Sequence, residues 1–80
     1  MKVDELRIAL KKINVPSYYY SLLLGGYPNE CLCLVKNNDS DWEVYYSERG
    51  RKTGEKHYKT EDEACNYMFE ILSEYGRNNI

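Results

Sequence analysis

Trp42-Glu43-Val44-Tyr45-Tyr46-Ser47-Glu48-Arg49-Gly50 alternates large apolar and polar residues, the period of a strand buried on one face. Trp42, Val44 and Tyr46 fall on one side, and Glu43, Tyr45 and Ser47 on the other. The first set is expected in the core and the second on the surface. A run of charges and Gly50 then close the segment. A tyrosine beside a carboxylate on an exposed strand face suits contact with another protein, because Tyr offers a large, stiff, amphipathic surface.

Upstream, Asn37-Asn38-Asp39-Ser40-Asp41 reads as a hairpin loop and residues 31–36 as a second strand. Gly25-Gly26-Tyr27-Pro28-Asn29-Glu30 has strong turn chemistry. Residues 18–24 read as a first strand, apolar on both sides and so expected in a covered or central position. Downstream, residues 49–54 read as a glycine-bounded loop and residues 55–59 as a short fourth strand. Val3, Leu6, Leu10 and Ile13 lie at helical spacing and predict a helix over residues 4–13. Asp4 is its expected N-cap, Lys11 and Lys12 suit the negative end of the dipole, and Pro16 is the expected stop. Thr60-Glu61-Asp62-Glu63 is a capping box. The stripe Ala64, Tyr67, Met68, Ile71, Leu72 and Tyr75 follows, with Gly76 expected to end the helix and residues 77–80 expected to fray.

The order α-β-β-β-β-α with short connections favours an antiparallel four-stranded meander, both helices packed on the Trp42 face. The expectation is one α+β domain over residues 1–80. Alternate loops of a meander share an end. Asp39, Asp41 and Glu43 are therefore expected near Glu61, Asp62 and Glu63, and the loop of residues 25–30 near Arg49, Arg51 and Lys52.

Eighty residues make a small core, and the net charge is −2 with both signs interspersed. That balance argues against nucleic-acid binding, which needs a basic surface. Double-stranded RNA-binding domains share the helix-strands-helix order, but Glu61, Asp62 and Glu63 at the last helix start would repel a phosphate. No stretch approaches the length of a membrane span. Nine tyrosines against one phenylalanine suit a half-buried sheet and leave a surplus for an interface. Cys31, Cys33 and Cys65 are odd in number, and Met1-Lys2-Val3-Asp4 opens straight into a polar helix rather than a leader. A reduced, cytoplasmic protein with buried thiols is expected.

No catalytic set accompanies these elements. His57 with Ser47 or a cysteine could form a nucleophile–base pair, but no spacing supports it, and a partly exposed strand histidine is the plainer reading. Cys31-x-Cys33 lacks the second nearby ligand pair of a zinc site, so core thiols are expected and neither metal nor cofactor. Gly25-Gly26 leads into a strand, not a helix, and so reads as a tight turn, not a phosphate loop.

Tyr20-Ser21-Leu22, residues 25–30, the Trp42-to-Gly50 segment and Glu63-Ala64-Cys65 together resemble the small immunity proteins of bacterial polymorphic toxin systems. The similarity runs from about Tyr20 to Phe69, and the Trp42-to-Gly50 segment is its specific part. The resemblance implies a cytoplasmic, non-enzymatic protein that blocks a cognate toxin domain by tight binding, many such toxins being nucleases. The partner-binding residues expected are Asp39, Asp41, Glu43 and Tyr45, with Glu48 and Arg49 next. The acids would pair with toxin cations and Tyr45 would supply desolvated contact. A monomer or weak homodimer is expected. The alternatives are a regulatory module for a non-toxin protein partner and a small Cys/His enzyme.

Overall fold

A computed structural model describes the backbone of residues 1–78 and the side chains of residues 1–75. Its elements are α1 (Val3–Lys12), β1 (Tyr20–Leu22) preceded by a 3-10 turn (Ser17–Tyr19), β2 (Cys31–Asn38), β3 (Asp41–Glu48), β4 (Arg51–Tyr58) and α2 (Glu61–Asn78). The strands form one sheet in the order β1-β2-β3-β4.

The sheet is mixed, which corrects the expected meander. β2–β3 and β3–β4 are antiparallel, but β1 runs parallel to β2, pairing Tyr20 with Leu32 and Leu22 with Leu34. A parallel return normally needs a long crossover. Here β1 is three residues long, so the eight residues from Leu23 to Glu30 suffice to carry the chain back to its start. β1 is therefore a short edge strand, not the central one its apolar run suggested. The expected first strand is cut short at both ends. Ser17–Tyr19 turns, and Leu23 adopts φ +66, donating its N–H to the Leu34 carbonyl at 2.8 Å.

β4 is longer than expected because both glycines of the 49–54 segment have specific jobs. Arg49 (φ +52) and Gly50 (φ +73) form the two-residue left-handed turn that matches strand twist. Gly54 (φ +62) sits where the β3–β4 register shifts between Val44 and Tyr46, a glycine bulge that lets the strand continue.

The N-cap of α1 lies two residues earlier than the expected Asp4: it is Lys2, its N–H bonded to the Glu5 carboxylate at 2.9 Å. It ends before Pro16 acts. Asn14 at φ +61 donates to the Lys11 carbonyl and Val15 to that of Leu10, the paired bonds of a Schellman stop. Thr60 caps α2 as expected, accepting the Glu63 N–H at 3.2 Å and donating to the Glu63 carboxylate. α2 runs through Gly76 to Asn78, so Gly76 is not its terminator, and Arg77 and Asn78 are helical. Residues 79–80 of the expected frayed tail lie outside the described residues.

The main core lies on the expected face, although Tyr46 there is only half-buried and Tyr75 of the α2 stripe is exposed. Leu6 and Leu10 of α1 and Ala64, Cys65, Met68 and Leu72 of α2 pack against Leu22, Leu34, Trp42 and Val44. Both helices thus cover the Trp42 face. At the far end of this layer the Val3 N–H, which the helix cannot satisfy, donates to Glu61 at 2.8 Å. Among the described residues no helix is long and apolar enough to cross a membrane.

Candidate functional site

The second face of the sheet carries no helix, yet Glu43, Tyr45 and Ser47 are all buried there, at 3, 3 and 0 % exposure. The expectation that they form a bare docking face is therefore corrected. Tyr45 packs with Cys31, Cys33 and Val35 in a second, small core. Its hydroxyl donates to the Gly26 carbonyl at 2.7 Å, so the Leu23-to-Glu30 connection is fastened to this face. The Lys52 ammonium lies 4.7 Å from the Tyr45 ring centroid and closes the other side.

Glu43 is the hub of a charged network. Lys52 Nζ donates to its Oε2 at 2.9 Å and Asn37 Nδ2 to its Oε1 at 3.1 Å. Asn37 Nδ2 also reaches Asp41 Oδ2 at 3.0 Å. His57, half-exposed on β4 opposite Glu43, places Nδ1 2.7 Å from Asp41 Oδ1 and Nε2 3.8 Å from Glu43 Oε2. Burial pushes the Glu43 carboxyl up, but the Asn37 and Lys52 hydrogen bonds and the Lys52 charge outweigh it and hold it below the ordinary range. The hydrogen bond from His57, helped by Asn37, holds Asp41 low, and the same bond to Asp41 raises His57 above its ordinary value. Each cation has its carboxylate. The arrangement is chemically that of an internally satisfied ion cluster.

The thiols behave as core atoms. Burial pushes Cys33 and Cys65 up to about 11, far from the thiolate a nucleophile or metal ligand needs. Cys31 and Cys33 lie in the small core and Cys65 in the helix-side core, on opposite faces of the sheet. All three are free and buried, as expected. Among the described residues no group of three His, Cys, Asp or Glu side chains is placed to hold a metal. Ser47 Oγ is wholly buried without a hydrogen-bond partner, between Cys31 and Lys52 on neighbouring strands.

The remaining expected contact residues are split between the ends of the sheet. Asp39 stands on the β2–β3 turn, its side chain almost wholly in solvent and paired with Lys36 at 3.1 Å. Glu48 and Arg49 are exposed at the opposite end, where the Arg49 N–H donates to Asn29 Oδ1 at 3.3 Å. This contact puts the 25–30 loop beside Arg49, as the sequence implied. The acids do share an end, because Trp42 pairs with Tyr58 just before α2 begins. They do not form one surface: Asp41 and Glu43 face away from the helices, while Glu61 and Asp62 are bonded to Val3 and the N-terminal amine.

What the sequence reading missed is the Leu23-to-Tyr27 segment. Leu24 is 85 % exposed and Tyr27 57 %, with Leu23 half-exposed beside them. The segment is shaped by left-handed backbone at Leu23, Gly25, Gly26 and Glu30 and pinned through Leu23, Gly26 and Asn29. The legible signal was the apolar triplet Leu22-Leu23-Leu24 running directly into Gly25-Gly26, too long for the strand that precedes it. No protein-family model, curated protein or solved structure matches this chain.

Proposed function

We propose that this chain is a non-enzymatic binding protein that docks on and neutralises a bacterial toxin domain, most simply a basic nuclease. The toxin class comes from the resemblance of the Trp42-to-Gly50 segment to immunity proteins. The observation that carries the binding reading is the fastened loop that holds Leu24 and Tyr27 out in solvent. Water-exposed Leu and Tyr on a pre-shaped backbone are costly for a lone domain and useful for docking, since little ordering entropy remains to be lost. Leu23, Leu24 and Tyr27, with Glu48 and Arg49 of the adjoining end, form the contact centre. Asp39 and Asp41 at the other end steer encounter with a cationic partner. Glu43 and Tyr45 act from beneath, by holding the loop and the cluster in place.

A Cys/His enzyme is the weaker reading, because the thiols are held protonated and the imidazole is engaged by two carboxylates. The test is co-expression with bacterial nuclease toxin domains. Wild-type chain should protect growth and co-purify, and a folded Leu24→Ser/Tyr27→Ser variant should do neither. Protection by the folded double variant equal to wild type would refute the docking loop, and loss of protection from folded His57→Ala alone would revive catalysis.

A further inference from the structure

On the helix side, a cavity of about 320 Å³ opens between α2 and the sheet, within the range of small-ligand pockets. Tyr19, Tyr46, Tyr67 and Tyr75 line it, with Leu32 and Ile71 among its apolar residues. Among the described residues Glu30 is the one charged group in that wall. Aromatic faces with a single carboxylate define a site for a cation on an apolar stem. One of these rings already lies near such a group, with Lys56 Nζ 5.8 Å from the Tyr67 centroid. Burial raises the Tyr46 hydroxyl, and the nearby charges of Glu30 and Glu48 add to it.

Glu30 ends the same connection that carries Leu24 and Tyr27, and it does so at φ +54, a conformation that favours glycine. We propose that this cavity receives an arginine side chain of a protein partner, its guanidinium stacked on the tyrosine rings and paired with Glu30. Arginine fits better than lysine because its planar, weakly hydrated head stacks on rings and meets a carboxylate through two N–H groups. A purely apolar side chain would make no use of the exposed Glu30 carboxylate at the rim.

The inference rests on the reading of the chain as a protein-binding module, but its test needs no partner. The folded chain is titrated with acetyl-Ala-Arg-Ala-amide and with the same peptide carrying citrulline, lysine or norleucine, and the tyrosine ring resonances are followed by NMR. The arginine peptide should shift the Tyr19, Tyr46, Tyr67 and Tyr75 resonances saturably. Citrulline, the neutral isostere, should bind about tenfold more weakly, and lysine and norleucine more weakly than arginine. Glu30→Gln should bring arginine down to the citrulline level. Glu30→Gly, which relaxes the left-handed backbone, should keep the fold and lose the binding. Equal binding of arginine and citrulline, tighter binding of lysine or norleucine, no saturable shift, or undiminished binding by Glu30→Gln would each overturn the assignment. A failed titration alongside a toxin that still binds through Leu24 and Tyr27 would remove the cavity and leave the docking loop.

Discussion

Glu43 shows how one side chain can change role between sequence and structure. Its place in an alternating strand puts it opposite Trp42, and a carboxylate there is ordinarily solvated. It is buried instead because Lys52 and Asn37 supply the hydrogen bonds that a buried carboxylate requires. Glu43→Ala should cost about 1.5–3 kcal/mol, the worth of hydrogen bonds to a charged group. Equilibrium urea unfolding checks this, and an unchanged midpoint would mean the cluster contributes nothing. Trp42, at 8 % exposure under the helices, should cost about 3–5 kcal/mol when replaced by Ala. Ser47→Ala should run the other way. It removes a buried hydroxyl that has no partner, so the variant should equal or exceed wild type in stability by about 1 kcal/mol. A destabilised Ser47→Ala would reveal a bond to that hydroxyl.

At the scale of elements, the β3–β4 pair brings the charges of Asp41, Glu43 and His57 together, and its stability should follow pH accordingly. His57 is raised in the folded chain, so its contribution is complete below its ordinary value of about 6.5 and is lost as pH rises through the raised one. Asp41 and Glu43 are lowered, so theirs is complete above about pH 4.5 and is lost as pH falls through the depressed values. Stability should peak between about pH 5 and 6.5. His57→Gln should flatten the fall on the alkaline side of that peak in denaturant melts. An identical alkaline fall in the variant would place its origin elsewhere. The elements themselves were largely legible: the Trp42 alternation, the Thr60 capping box and both helical stripes are local signals, and local physics fixes them. What stayed illegible depended on contacts distant in sequence. The parallel pairing of β1 is possible over so short a connection because β1 has three residues, bounded by the turn at Ser17–Tyr19 and by left-handed backbone at Leu23, a conformation leucine disfavours. The covering of Tyr45 depends on a hydroxyl reaching nineteen residues back to Gly26. Asn14 does the work of a C-terminal glycine, a second-choice residue for that position.

The whole molecule is a plate of about 36 × 29 × 17 Å, one layer of helices on one sheet. Its unhelical face is closed by an ion cluster and a loop, and the groups of the proposed docking function are divided between two ends. In that proposal the acidic hairpin acts at long range and the Leu23-to-Tyr27 loop at contact. These two roles separate kinetically, since steering changes association while buried contact changes dissociation. Tyr45→Phe should loosen the loop, raising hydrogen exchange at the Gly26 and Tyr27 amides while costing only about 0.5–1.5 kcal/mol of global stability. The most direct test of the docking account is stopped-flow and calorimetric binding of the purified chain to the toxin domain that it protects against in co-expression. Asp39→Lys/Asp41→Lys, first checked for its fold because Asp41 also holds His57, should slow association and weaken its salt dependence with little change in dissociation. Leu24→Ser/Tyr27→Ser should speed dissociation about 100-fold or more with association nearly unchanged. Binding that is untouched by the loop pair, and abolished by the hairpin pair through faster dissociation, would contradict the account and place the contact surface at the acidic end.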